Sequence, residues 1–128
     1  MNIIIDTHIF LWYISNHSKL NTGYKKTITD NRNNIYLSVA SIWECIIKQQ
    51  MGKLDVPLPL SDYLVSKRAE HYISTLPIDE DCIFKLEALP YIHKDPFDRI
   101  ILSQALSHKF KIITQDGLLK KYPYSIFL

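Results

Sequence analysis

The sequence predicts a single α/β domain over residues 1–128, built on a central, mostly parallel sheet of four or five short strands. Three observations lead there. The short runs "NIII" (2–5), "IYLS" (35–38) and "KIIT" (111–114) read as strands, the first with the β-branched, fully apolar pattern of a strand buried on both faces. Helical segments separate them, which is β-α-β construction. The chain has 128 residues, of which 47% are hydrophobic, enough to bury one core without disulfides or a structural metal.

The first strand leads into "IFLWYI" (9–14), which predicts a short apolar helix, and "KLNTGYKKTITDNRNN" (19–34) predicts a polar second helix running into a turn. The second strand leads into the clearest helix, Val39 to Gln50, stopped by Gly52 as a C-terminal cap. "DVPLPL" (55–60) is a loop, after which Ser61 or Asp62 caps a helix reaching about Glu70. "YIST" (72–75) reads as a strand and "DEDCIFKLEAL" (79–89) as an acid-headed helix. Pro96 to His108 is a helix, 111–114 a strand, and "YSIFL" (124–128) a last edge strand.

Composition narrows the class. A formal net charge of +2 lacks the strongly basic footprint that would announce a nucleic-acid binder by itself. The two cysteines, Cys45 and Cys82, form no C-x-x-C, which suits a reducing, cytoplasmic setting and argues against zinc. "MNIIID" has none of the marks of a secretion signal, and no apolar run approaches the roughly 20 residues of a membrane helix. A soluble protein with no membrane partner is expected.

The acids are more telling than the net charge. In open α/β sheets ligands bind beyond the carboxyl ends of the strands, and Asp6 and Asp116 fall there. Each alone reads first as a helix cap. Glu44 lies inside "SVASIWECIIKQQ", where Val39, Ala40, Ile42, Trp43, Ile46 and Ile47 define an apolar arc. At about 100° per residue Glu44 falls about 40° beyond Ala40, on the arc's edge. A carboxylate there needs a partner, either Lys48 one turn on or a cation. In "HKDPFDRIILSQA" (93–105), Asp95 is the N-cap and Pro96 the first helical residue. Asp98 gains only the helix dipole, about 0.3–1 kcal/mol, and stands one turn before Leu102, near the core face formed with Ile101 and Ala105. Asp6, Glu44, Asp98 and Asp116 can therefore converge at one edge of the sheet. Oxygen ligands without His or Cys suit a hard cation, Mg²⁺ or Mn²⁺, whose common use is phosphodiester hydrolysis.

The ordered motifs "IIIDTHIFLWYI", "SVASIWECIIKQQMGKL", "HKDPFDRIILSQA" and "IITQD" resemble the PIN-domain nucleases, and most closely the VapC-like toxins of bacterial toxin–antitoxin pairs. The resemblance runs from Asn2 to about Tyr124 and is weakest over 55–92. It implies an α/β/α sandwich and a Mg²⁺- or Mn²⁺-dependent endoribonuclease with Asp6, Glu44, Asp98 and Asp116 as metal ligands. Thr7 and Thr114 would orient neighbouring acids, with Asp95 an auxiliary fifth acid. Lys48 and Arg99 stand as phosphate contacts, although ion pairs explain them equally well. The resemblance also implies a homodimer silenced by a cognate antitoxin, with Trp12, Tyr13 and Tyr91 as contact candidates. The five histidines, including His8 and His93, are expected to be polar surface.

Two rival readings differ in kind. One is a binding module of the same fold whose acids are only caps and ion pairs, acting through protein or RNA association. The other is an aspartate-pocket phosphotransfer domain, which "DTH" disfavours because it lacks a second acid and leaves Glu44 without a role.

Overall fold

A computed structural model of the chain describes all of residues 1–128. Strands β1 (Asn2–Ile5), β2 (Asn34–Ser38), β3 (Ile73–Leu76) and β4 (Lys111–Ile113) form one parallel sheet in the order β3-β2-β1-β4. Ile3 pairs with Ile35 on one side and Lys111 on the other; Ile5 pairs with Leu37 and Ile113. An interior strand covered on both faces has no use for polar residues, and Ile3, Ile4 and Ile5 are wholly buried.

Six helices cover the sheet: α1 (Thr7–Ile14), α2 (Thr22–Thr29), α3 (Val39–Gln50), α4 (Leu60–Glu70), α5 (Glu80–Lys85) and α6 (Pro96–His108). Strand alternation sends Ile3 and Ile5 into a core with Ile9, Phe10 and Ile14 of α1, Ile28 of α2, Cys45 of α3 and Leu60 and Leu64 of α4. Ile4 points the other way, into a core with Ile101, Leu102 and Ala105 of α6 and with Leu119 and Tyr122. The result is the expected α/β/α sandwich.

Several elements differ from expectation. The segment 124–128 makes one isolated bridge, Ile112 with Phe127, and no strand: its backbone bonds to β4 both go to Ile112, whose N–H donates to the Ile126 carbonyl at 2.8 Å and whose carbonyl accepts the Leu128 N–H at 3.0 Å. The second helix covers Thr22–Thr29 alone, capped by Asn21. It ends where Asp30 turns its carboxylate onto the Arg32 N–H and guanidinium, a local bond that competes with helix. Helix α4 begins at Leu60, after Pro59 and without a side-chain cap, so neither Ser61 nor Asp62 caps it; Asp62 lies in its first turn. Helix α5 stops at Lys85 and continues as a 3₁₀ turn, Leu86–Ala88. Gly52, with φ at +71°, does lie just past the end of α3 as the sequence indicated.

The largest correction concerns α3. Its buried face is Ala40, Ser41, Glu44 and Cys45, while Val39, Trp43 and Ile46 lie on the surface, with Trp43 60% exposed. The helix packs on α1 and α6 as well as on the sheet. Tertiary placement, rather than the apolar arc, thus decides which side is covered.

Candidate active site

The chain passes from β1 to β2 and β3 on one side, then returns to β4 on the other side of β1. The crevice beyond the carboxyl ends of β1 and β4 is therefore the topological switch point, where open α/β sheets bind ligands. Asp6 leaves β1 there, and Thr114 and Asp116 leave β4. The amino end of α6 adds Asp95 and Asp98.

Hydrogen bonds tie these residues together. Asp6, 3% exposed, caps α1 by accepting the Ile9 N–H at 2.8 Å, and its second oxygen accepts the Thr114 hydroxyl. Thr114 Oγ1 in turn accepts the Asp116 N–H at 3.0 Å, so one hydroxyl joins both strand ends. Asp116 Oδ1 accepts the Leu119 N–H at 2.9 Å, while its Oδ2 lies 3.3 Å from His93 Nε2. The same Nε2 is 3.0 Å from Asp98 Oδ2. Asp95 caps α6 through the Phe97 and Asp98 N–H groups, at 2.8 and 3.3 Å.

Glu44, 8% exposed, joins from α3 through Thr7. The Thr7 hydroxyl donates to Glu44 Oε1 at 2.6 Å and lies 2.9 Å from Ser41 Oγ. Glu44 Oε2 pairs with Lys48 Nζ at 3.1 Å, the i,i+4 contact anticipated from the sequence. Both carboxylate oxygens of Glu44 are thus occupied, and Lys48 is engaged.

The electrostatics separate the acids. Burial pushes Asp6 up, against the lowering effect of its bonds from Thr114 and Ile9. Asp98 is raised from 3.8 to about 7, first by burial and then by the charges of Asp95 and Asp6; His93 works against this, and Asp116 adds to it. Burial pushes Asp116 up too, but the Leu119 N–H and His93 outweigh it and leave this acid below its ordinary value. No lysine or arginine pairs with Asp6, Asp98 or Asp116. Three clustered carboxylates held by uncharged donors and one histidine, and paired with no lysine or arginine, form a hard, oxygen-rich donor set that Mg²⁺ or Mn²⁺ fits.

His93 is the residue that sequence reading missed. It is 7% exposed, not surface. Its only signal was its place two residues before the Asp95 cap. Arg99, a phosphate-contact candidate, instead donates to the Pro90 carbonyl at 3.0 Å, the Tyr122 hydroxyl at 3.0 Å and the Leu86 carbonyl at 3.4 Å, bracing the segment that carries His93. Trp12 is half-buried against the core, with the His8 and His17 rings each 5.9 Å away. Tyr13 is likewise half-buried, whereas Tyr91 is 69% exposed beneath the Arg99 guanidinium. Away from the site, Asp79, Cys82 and His108 draw together, but Asp79 is already the cap of α5. A cavity of about 590 Å³, lined by Tyr13, Tyr36, His71 and Tyr72 among others, includes none of Asp6, Glu44, Asp95, Asp98 and Asp116.

The sequence model of the PIN domain family matches residues 3–123. The chain belongs to the PIN domain family. A relative, Ribonuclease VapC22 of Mycobacterium tuberculosis, is 22% identical over 121 residues, covering 94% of this chain and 91% of that protein. Among solved structures, VapBC2 from Rickettsia felis, bound to a DNA fragment from its promoter, superposes with a TM-score of 0.71. It shares 18% identity over 100% of this chain and 98% of that one. A toxin–antitoxin complex from Klebsiella pneumoniae gives 0.62, at 18% identity over 98% and 95%. These likenesses establish the PIN fold. No helix of this PIN domain is long and apolar enough to cross a membrane.

Proposed function

We propose that this PIN domain is a Mg²⁺- or Mn²⁺-dependent endoribonuclease, the toxin of a cytoplasmic toxin–antitoxin pair. The observation that carries the reading is the gathering of Asp6, Asp98 and Asp116 at the switch point with no lysine or arginine to neutralise them. The relative's name, Ribonuclease VapC22, and the toxin–antitoxin neighbours point the same way.

Asp6, Asp98 and Asp116 would hold the ion, with Glu44 completing the acidic wall. When bound, a divalent ion polarises the phosphodiester and supplies the Lewis acidity that makes water a nucleophile near neutral pH. The chain's own part is positional. Thr114 holds Asp6 and the Asp116 backbone in one place, and Thr7 and Lys48 fix both oxygens of Glu44. Asp95 keeps the start of α6 formed, which sets where Asp98 points. The half-buried Asp98, raised to about 7 by burial and the neighbouring acids, is protonated in acid and gains its charge as pH rises through neutrality.

The apolar surface of α3, with Val39, Trp43 and Ile46 exposed and Trp43 edge-on to Phe97 at 5.2 Å, supports a covering partner chain. A cognate antitoxin and a second copy of the chain are the partners of this reading.

The test is cleavage of a mixed pool of structured RNAs by purified, antitoxin-free protein with Mg²⁺ or Mn²⁺, beside Glu44→Gln prepared identically. Cutting by wild type alone, lost on chelation, is expected. Gln keeps the Thr7 bond and removes the charge that faces Lys48, so the variant is expected to fold. Equal cutting by both proteins would remove Glu44 from the site. A folded wild type that neither cuts nor binds Mn²⁺ would leave the binding-module reading in its place.

A further inference from the structure

Between Asp98 and Asp116 stands a histidine whose proton can be located. His93 Nδ1 accepts the Asp95 backbone N–H at 3.1 Å. A neutral imidazole carries one N–H, so with Nδ1 acting as acceptor the hydrogen sits on Nε2. That nitrogen is 3.0 Å from Asp98 Oδ2 and 3.3 Å from Asp116 Oδ2. It donates its hydrogen bond to Asp116, with Asp98 in close contact beside it, and has no lone pair to offer a cation.

The ring is held in place from behind. The His93 backbone N–H donates to the Tyr122 hydroxyl at 3.1 Å, and the same hydroxyl accepts from Arg99 at 3.0 Å. Tyr122 is itself buried in the core beneath α6. Packing therefore places the Nε2–H where two acids from different elements meet, one from the first turn of α6 and one from the loop after β4.

We propose that His93 is a positioning residue of the metal site: its Nε2–H tethers the Asp116 carboxylate beside Asp98 so that one divalent ion can use both. The inference rests on the metal-dependent reading above. Two carboxylates this close repel when nothing lies between them. A donor standing between them offsets that repulsion and orders the Asp116 side chain before the ion arrives, so less ordering remains to be done on binding. The Asp116 side chain is 36% exposed and needs such a tether more than the better buried Asp98, at 16%.

The experiment is Mn²⁺ titration by calorimetry into the full chain and three variants, with the electron spin echo of bound Mn²⁺ as a second readout. His93→Gln places an amide N–H near the position of Nε2. His93→Asn replaces the Nδ1 acceptor but has nothing that reaches the acids, and His93→Met fills the space with no donor. Wild type is expected to bind, His93→Gln to stay within about threefold, and His93→Asn and His93→Met to weaken about 10–100-fold. If Asn fails to fold, Met carries the comparison. The echo is expected to show no directly coordinated nitrogen in wild type. Equal affinities across the series, an equal loss in Gln and in Asn or Met, or a coordinated nitrogen each overturn the proposal and leave the metal reading standing. No Mn²⁺ binding by folded wild type overturns both.

Discussion

Replacing Asp98 by Asn is expected to stabilise the metal-free protein above neutral pH. In the folded chain burial, and then the charges of Asp95 and Asp6, lift Asp98 from 3.8 to about 7. The unfolded chain returns it to the ordinary value, near 3.9. Between those two values the folded state keeps a proton that the unfolded state has lost, so wild-type stability falls as pH rises. The contribution is intact below about pH 4 and fully lost above about pH 7. From pH 5 to pH 8 the loss spans roughly two pH units at about 1.4 kcal/mol each, or about 2–3 kcal/mol. The side chain remains 16% exposed, and solvent at that edge brings the expected figure nearer to about 2 kcal/mol. Asn keeps the shape and cannot ionise. The assay is urea unfolding of both proteins in chelator at pH 5 and pH 8. The stability difference should move in favour of Asn by about 2 kcal/mol, a midpoint change on the order of 1 M at ordinary slopes. Comparing two pH values cancels any pH-independent effect of the substitution. A difference that stays constant, or moves toward wild type, would refute the burial reasoning. Saturating Mn²⁺ should reverse the order, because an ion at 100 times its Kd adds about 2.7 kcal/mol to the form that binds it. Cleavage should rise over the same interval as Asp98 becomes a charged ligand.

Two further substitutions test the supports of the site. Thr114→Val removes the hydroxyl that donates to Asp6 and accepts from the Asp116 N–H; a loss of about 1–3 kcal/mol in urea unfolding is expected, together with weaker Mn²⁺ binding. Asp95→Ala deletes the cap of α6 and should lower stability by about 0.5–2 kcal/mol while Mn²⁺ affinity, read by calorimetry, stays within about tenfold. A complete loss of Mn²⁺ binding in a folded Asp95→Ala protein would instead make Asp95 a ligand.

Much of the site is legible from one-dimensional features because strand ends and helix starts leave marks in a sequence. Asp6 and Asp116 were legible because "NIII" and "KIIT" read as short apolar strands of a parallel sheet, and residues just past the end of such a strand lie at the carboxyl edge of the sheet. Asp95 and Asp98 were legible because Asp-Pro opens a helix, and the register of Ile101, Leu102 and Ala105 then places Asp98 near the core. The Glu44–Lys48 pair comes from helical spacing alone. Local geometry determines all of these within a few residues.

What the tertiary structure decided involves partners far apart in the chain. Helix α3 carries apolar residues on more than one side, and only its packing on α1 and α6 selects Ala40, Ser41, Glu44 and Cys45 for burial and leaves Trp43 outside. The Thr114 bond to Asp6 spans 108 residues, and it exists because β4 pairs with β1 rather than extending the sheet beyond β3. His93 sits in a loop with no periodicity; its burial depends on Tyr122 and Arg99 converging from the far side. Residue spacing encodes what a segment becomes. The free energy of burial, summed over segments that meet only when folded, decides which of its faces the rest of the molecule covers.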